Sequence, residues 1–367
     1  MITKPFPAVT ARRARDGFTL VELLISIVVI TIIILMIAQL MTSATAVART
    51  GNKHIDTDTQ ARAVLDRMAL DFAQMLKRTD IDYYIKAPVG YKNPKAHGSY
   101  NGLKLKVGEQ GNDQIAFFSQ VAGYNSTSST SQSPVSLVAY RVNSASTTLP
   151  SYLTLERMGK GLLWNGIDTT KANAPYPIVF LPGQIAAGTG PWAGPWYAAV
   201  NNDNSGKSTD PDYETIGPGV FRFEYYYLRK DGSIKDIPAI SPWVFTQNGV
   251  TVTLSANLNA FSDVEAVVAA IAVIDPASRS LLYDASNSAD PYHRLFSILS
   301  DMADFKDANG KGVGAQKVGD VENNWNLAVQ SAASTGKTSD GSAFPPAAAS
   351  AIRIYNRYFN LRTPALF

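Results

Sequence analysis

Three sets of residues have types and spacings suited to chemistry. The first is Gly17-Phe18-Thr19-Leu20-Val21-Glu22, where one carboxylate stands inside an otherwise apolar run. A carboxylate in lipid costs on the order of 3 kcal/mol on insertion scales, so Glu22 is expected to have a task and a partner. Gly17 ends a basic leader, and the absence of a side chain suits a protease cleft that needs close approach to extended backbone. The second set is Asn201-Asn202-Asp203-Asn204-Ser205-Gly206 with Asp210, Asp212 and Glu214. Oxygen donors at alternating positions and a glycine in sixth place have the spacing of a calcium loop. The leading Asp is missing, however, and Asp212 stands where a bidentate Glu should close the site. Asp203, Asp210 and Asp212 are therefore a weak calcium candidate beside the plainer reading of a polar surface loop, and no other cofactor is expected. The third set is His54, His97 and His293, too scattered in sequence to form a Ser-His-Asp order or a zinc signature. Gly206-Lys207-Ser208 and Gly336-Lys337-Thr338 end like phosphate-binding loops, but Asn201 and Ser331 occupy the positions that need glycine. No catalytic residue is expected, and the chain is not expected to be an enzyme.

Charge and composition narrow the classes further. The 367 residues are enough to bury a proper core. Charged residues are 17%, below the ordinary share, and small polar and turn residues abound, which suits a loop-rich β or α+β body. No cysteine is present, so disulfide and thiolate-metal chemistry are excluded. The formal charge of +3 comes from residues 1–17. Without Lys4, Arg12, Arg13, Arg15 and Asp16, the 33 basic and 30 acidic residues fall to 29 of each. Such a basic leader is a topology signal that stays cytoplasmic. It gives no basic face for nucleic acid.

Residues 18–41 are interrupted only by Thr19, Glu22, Ser26, Thr31 and Gln39. As a helix this run spans roughly 36 Å, enough to cross the hydrocarbon core. Its β-branched residues favour strand in water, but lipid demands backbone hydrogen bonds closed within the segment, so helix is expected. Three readings compete. One is a secretory signal cut after the apolar run, at the small residues near Ala44. Another is a generic signal anchor with Glu22 as a boundary charge. The third is cutting before the span, between Gly17 and Phe18.

Residues 17–27 closely resemble the processing site of type IV prepilins and pseudopilins. The resemblance implies cleavage between Gly17 and Phe18 by a prepilin peptidase and N-methylation of Phe18. It also implies that Glu22 pairs with the free amino terminus of a neighbouring pilin-like subunit. The implied topology is a single pass through the inner membrane, with the amino terminus cytoplasmic before processing and the body periplasmic.

Past the membrane, Ala61, Val64, Leu65, Met68, Phe72, Met75 and Leu76 recur at helical steps, with Asp66, Arg67, Asp71 and Gln74 assigned to the opposite face. A kink is expected at Gly51-Asn52, and Asp56-Thr57-Asp58-Thr59 is either a helix cap or a solvated turn. From residue 83 onward, short alternating runs at 103–107, 114–121, 135–142, 153–157, 220–228 and 249–254 read as strands. Asp231-Gly232 is a hairpin turn. Residues 264–274 favour a buried strand, although their alanines also permit helix. Residues 295–305 and 322–333 read as short helices, and 350–361 as helix or terminal strand. Trp192 and Trp196, on a Gly/Pro-rich loop, are expected to fold back as a lid on the sheet.

The predicted architecture is α+β, with a long N-terminal transmembrane/stalk helix followed by a β-rich globular domain with short helical insertions. The expected parts are a leader at 1–17, a membrane helix at 18–41, its amphipathic continuation at 42–80 and a body at 81–367. This order resembles minor pseudopilin J of type II secretion. In length, and in the tail Ile352-Arg353-Ile354-Tyr355-Asn356-Arg357-Tyr358-Phe359, it is more similar to the Verru_Chthon cassette C proteins. The resemblance implies a structural assembly subunit of a type II secretion or pilus-like machine. The competing reading is a minor pilin or adhesin that binds an external ligand through its loops.

Overall fold

The computed structural model describes residues 19–76, 112–124, 132–143, 150–161, 213–235, 243–247, 250–254, 264–303, 305 and 317–361. They fall into two compact units, Met1–Lys53 and His54–Phe367. One helix, α1 (Leu20–Ala73), contributes to both. In the first unit its apolar residues, from Leu20 to Met41, are exposed on every side. A helix apolar all round needs an apolar surrounding. Its few hydroxyls are absorbed locally. Ser26 donates to the Glu22 carbonyl at 2.7 Å, Thr31 to Ile27 at 2.8 Å and Thr42 to Ala38 at 2.9 Å. Back-bonding of this kind leaves little polar surface to desolvate. The helix runs through Gly51-Asn52 without a break, and Asp56 to Thr59 lie in its interior. Asp56 to Thr59 are thus neither the cap of a fresh helix nor a solvated turn.

In the second unit, Ala61, Val64, Leu65, Met68 and Phe72 are buried, as their spacing requires. The helix ends at Ala73, and Met75, also buried, forms a bridge with Ser119 instead of continuing the helical stripe. Asp71, assigned to the solvated face, is also fully buried. Its burial is made tolerable by three partners. Arg157 reaches it through Nε at 2.7 Å and Nη2 at 3.0 Å, and the Tyr140 hydroxyl donates to the same carboxylate. Arg67, one turn back, lies 3.8 Å away. Buried charge persists only where paired and hydrogen-bonded in this way.

The strands that carry these partners form a six-stranded sheet. It is built from β1 (Gln114–Ser119), β2 (Gly123–Tyr124), β3 (Gln132–Ser133), β4 (Ser136–Val142), β5 (Leu155–Gly161) and β6 (Tyr213–Gly217). The order is β1-β4-β5-β2-β3, with β6 on β5. A second, four-stranded antiparallel sheet uses β7 (Val220–Arg229), β8 (Ile234–Lys235), β11 (Val264–Val273) and β12 (Arg353–Asn360) in the order β12-β11-β7-β8. A separate antiparallel hairpin joins β9 (Trp243–Gln247) to β10 (Val250–Leu254). The β7–β8 turn uses Asp231-Gly232, and Gly232 has the positive φ of 79° that such a turn needs. β11 is buried at every residue except Glu265, which settles residues 264–273 as a central strand.

Phe72 on α1 stacks between Phe117 of one sheet, at 4.6 Å, and Phe359 of the other, at 4.8 Å. The short helices α2 (Pro276–Ser280), α3 (His293–Asp301), α4 (Asp320–Thr335) and α5 (Pro346–Ala349) follow β11. β12 has α1 on one face and α4 on the other. Tyr355 bonds Asp58 of α1, and Asn356 bonds Glu322 of α4 at 3.1 Å. The tail is therefore a strand rather than a helix. Its helical spacing of Ile354, Tyr358 and Leu361 was overridden by eight residues of continuous pairing with β11.

Two further polar devices hold the sheets. Asn112 and Asp113 line the edge of β7 left open by short β8. Asn112 accepts from Phe223 N–H at 2.7 Å and donates to the Phe221 carbonyl at 3.0 Å, and Asp113 accepts from Tyr225 N–H at 2.9 Å. Side-chain amide and carboxylate groups thus replace a missing strand. Within β7, Arg222 and Glu224 form a fully buried pair at 3.3 Å, and the Arg222 guanidinium lies 4.9 Å over Trp325. Glu224 also accepts from Phe305 N–H at 3.2 Å.

Candidate processing and assembly site

Helix α1 starts at Leu20, one residue after Thr19, and Glu22 falls in its first turn. The geometry there is a reciprocal cap. Glu22 Oε2 accepts from Thr19 N–H at 3.0 Å and from Thr19 Oγ1 at 2.9 Å, while Glu22 N–H donates to Thr19 Oγ1 at 3.3 Å. Two amides that a helix start leaves without partners are satisfied by two side chains three residues apart. The carboxylate also stands at the positive end of the helix dipole. Both of its hydrogen bonds fall on Oε2, and Oε1 takes no donor among the described residues. Glu22 is exposed, as are its apolar neighbours Val21, Leu23 and Leu24.

Residues 12–38 match the prokaryotic N-terminal methylation motif. The N-terminus is type IV pilin-like. The motif encloses Glu22 and most of the apolar run, and it supports a pilin-like protein that a prepilin peptidase processes and that assembles with other pilins at a membrane. Among the described residues one helix, α1, is long and apolar enough to cross a membrane, which is consistent with membrane anchoring. No curated protein and no solved structure matches the chain. The finer likenesses to pseudopilin J and to the Verru_Chthon cassette C proteins therefore stay expectations.

Of the residues singled out from the sequence, Glu22 is placed in the first turn of α1. Gly17 and Phe18 lie outside the described residues, as do Asp203, Asp210, Asp212, Trp192, Trp196 and His97. Among the described residues no group of three or more His, Asp or Glu side chains is arranged to hold a metal ion. The remaining histidines stay apart. His54 is bonded by Arg353 at 3.2 Å, and His293 lies against the Asp290 carbonyl at 3.1 Å.

Sequence reading missed two features. Thr19 is a cap partner whose signal, Thr-x-x-Glu, was present in the sequence. The buried Asp71 cluster left no local signal, because its partners Tyr140 and Arg157 are 69 and 86 residues away. In that cluster burial and the neighbouring Asp71 charge push the Tyr140 hydroxyl well above the usual phenol range. Tyr140 is thereby kept a hydrogen-bond donor at every ordinary pH.

Proposed function

We propose that this chain is a minor pilin-like subunit, a pseudopilin, of a type II secretion or type IV pilus-like envelope machine. The observation that carries the reading is the methylation motif over residues 12–38, with Glu22 capping the start of an exposed apolar helix. Prepilin peptidase cuts between Gly17 and Phe18, and the new terminus at Phe18 is N-methylated. Residues 18–41 hold the mature chain in the inner membrane, with the body in the periplasm.

The cap gives Glu22 a defined place in this scheme. Thr19 N–H and Oγ1 remain after cleavage, so Oε2 stays occupied within the subunit. Oε1 is then the acceptor offered to the α-amino group of a neighbour. An unpartnered carboxylate in lipid costs on the order of 3 kcal/mol, and docking against a cation removes part of that cost only in the assembly. The pairing would also set axial register, as buried polar groups do in coiled coils. Such a role is structural rather than catalytic and requires no cofactor. The adhesin reading depends on loops outside the described residues.

The test is a pair of variants in the cells that make the protein. Gly17→Ala should accumulate uncut precursor, while Glu22→Ala should be cut normally but lose co-purification with other pilin-like chains. Normal cutting of the first, or unchanged co-purification of the second, would count against this reading.

A further inference from the structure

We propose that Asp290–Pro291 is a self-cleaving peptide bond, cut when the Asp290 carboxyl attacks its own main-chain carbonyl carbon. The inference stands apart from the assembly role above.

The bond lies in the connection between α2 and α3, and both of its sides are pinned. Asp290 N–H donates to Asn287 Oδ1 at 3.1 Å, and the Pro291 carbonyl accepts from Asp284 N–H at 2.8 Å. The Asp290 carbonyl oxygen meets two groups of one residue. The His293 backbone N–H donates to it at 3.2 Å, and His293 ring Nδ1 lies 3.1 Å from it. Donors that converge on an amide oxygen stabilise the negative charge that builds there when its carbon is attacked. The ring donates from Nδ1 in its cationic form, with Nε2 turned to Asp284 Oδ2 at 3.9 Å. Bonds from Ser286, helped by Arg294 at 3.2 Å, hold the Asp284 carboxyl below its usual range, so an anion faces the ring. The Asn287 amide, 3.4 Å from Nδ1, suits only the lone pair of the neutral ring. Charging His293 therefore switches the second donor on.

The nucleophile belongs to the same residue, so no diffusion is needed. Asp290 Oδ1 is buried and takes no donor among the described residues. Burial pushes the Asp290 carboxyl up, against the His293 charge and the Tyr292 amide, which favours the protonated form that carries a proton for the leaving group. One carboxyl oxygen bonds to the carbonyl carbon, the carbon–nitrogen bond to Pro291 breaks, and the carboxyl proton passes to the Pro291 nitrogen. A five-membered cyclic anhydride and a free prolyl amine result. Water then opens the anhydride and leaves two carboxyl groups on Asp290. Asp290 is half-buried beside exposed Ser288 and Ala289, so water reaches it.

Asp275–Pro276 offers a contrast within the chain. Asp275 is 2% exposed, its Oδ1 caps α2 by accepting from Ser278 N–H at 3.0 Å, and its carbonyl accepts from Arg279 N–H at 2.9 Å as part of the helix. No histidine stands at that carbonyl among the described residues. After a cut at Asp290, residues 291–367 still carry β12, whose eight-residue pairing with β11 would keep the two pieces together.

The test uses the full-length protein purified in detergent. It is incubated folded at pH 5 and pH 8, and unfolded in guanidinium chloride at pH 5. Intact mass and peptide mass spectrometry locate the cuts. The folded chain should yield one piece ending at Asp290 and one beginning at Pro291, faster at pH 5 than at pH 8, with Asp275–Pro276 intact. Unfolding should slow that cut at least about tenfold, since the two donors no longer converge. Asp290→Asn should abolish it, and His293→Ala should slow it at least about tenfold. An uncut folded chain, equal rates folded and unfolded, equal cutting at Asp275, or a parental rate in His293→Ala overturns the proposal. Should a variant not accumulate, the folded and unfolded parent still decide. None of these outcomes bears on the assembly reading.

Discussion

Thr19 and Glu22 show how much chemistry a short spacing can carry. The cap is a local event, legible as Thr-x-x-Glu, and it satisfies two amides at the helix start with two side chains. Thr19→Val should cost about 1 kcal/mol of helix-start stability. Hydrogen exchange of the first-turn amides in detergent should show faster opening there and no change beyond residue 30. Asp71 is the opposite case. Its spacing puts it off the apolar stripe of the helix, and only the distant partners Tyr140 and Arg157 explain its burial. Asp71→Asn leaves the Arg157 guanidinium buried against a neutral group and should cost about 3–5 kcal/mol in urea unfolding of the detergent-solubilised chain. Asp340 gives the pH dependence. Burial opposes it, but bonds from Thr338, Ser342 and Ser297 pull its carboxyl down to about 2. A depressed folded value means stability present above the ordinary carboxylate range and lost as pH falls through about 2. Thermal midpoints between pH 5 and 2 should therefore fall less steeply for Asp340→Asn than for the parent.

At the scale of elements, the periodic stripe of α1 was legible because burial imposes a period of 3.6, whereas β4 and β7 are buried at successive residues and were legible by their β-branched and aromatic composition rather than by alternation. Ala61, Val64, Leu65, Met68 and Phe72 all enter the core from α1, and residues 264–273 form the strand their valines favoured. The tail was ambiguous because Ile354, Tyr358 and Leu361 satisfy a helical period, while pairing with β11 is a long-range fact. Gly51 is tolerated within the helix because a glycine costs a helix only about 1 kcal/mol. The core contact of α1 is concentrated at Phe72, between Phe117 and Phe359. Phe72→Ala should destabilise the body by about 3–5 kcal/mol, read from the same urea transition. A value under 1 kcal/mol would mean that α1 does not anchor both sheets.

For the whole molecule, the proposed scheme gives the basic leader, the apolar helix and the β-rich body one sequence of tasks: hold the terminus in the cytoplasm, hold the chain in the membrane, and present a folded surface. The membrane end was readable because lipid allows so few solutions. The arrangement of the body was not, since which strands lie side by side is a long-range fact that topology decides. The central claim is that the chain is cut before its apolar helix and not after it. Intact mass and N-terminal peptide mass spectrometry of the protein extracted from its own membranes tests it directly. The predicted result is a chain that begins at Phe18 and carries one N-methyl group. A chain that keeps residues 1–17, or one that begins beyond Met41, would contradict it.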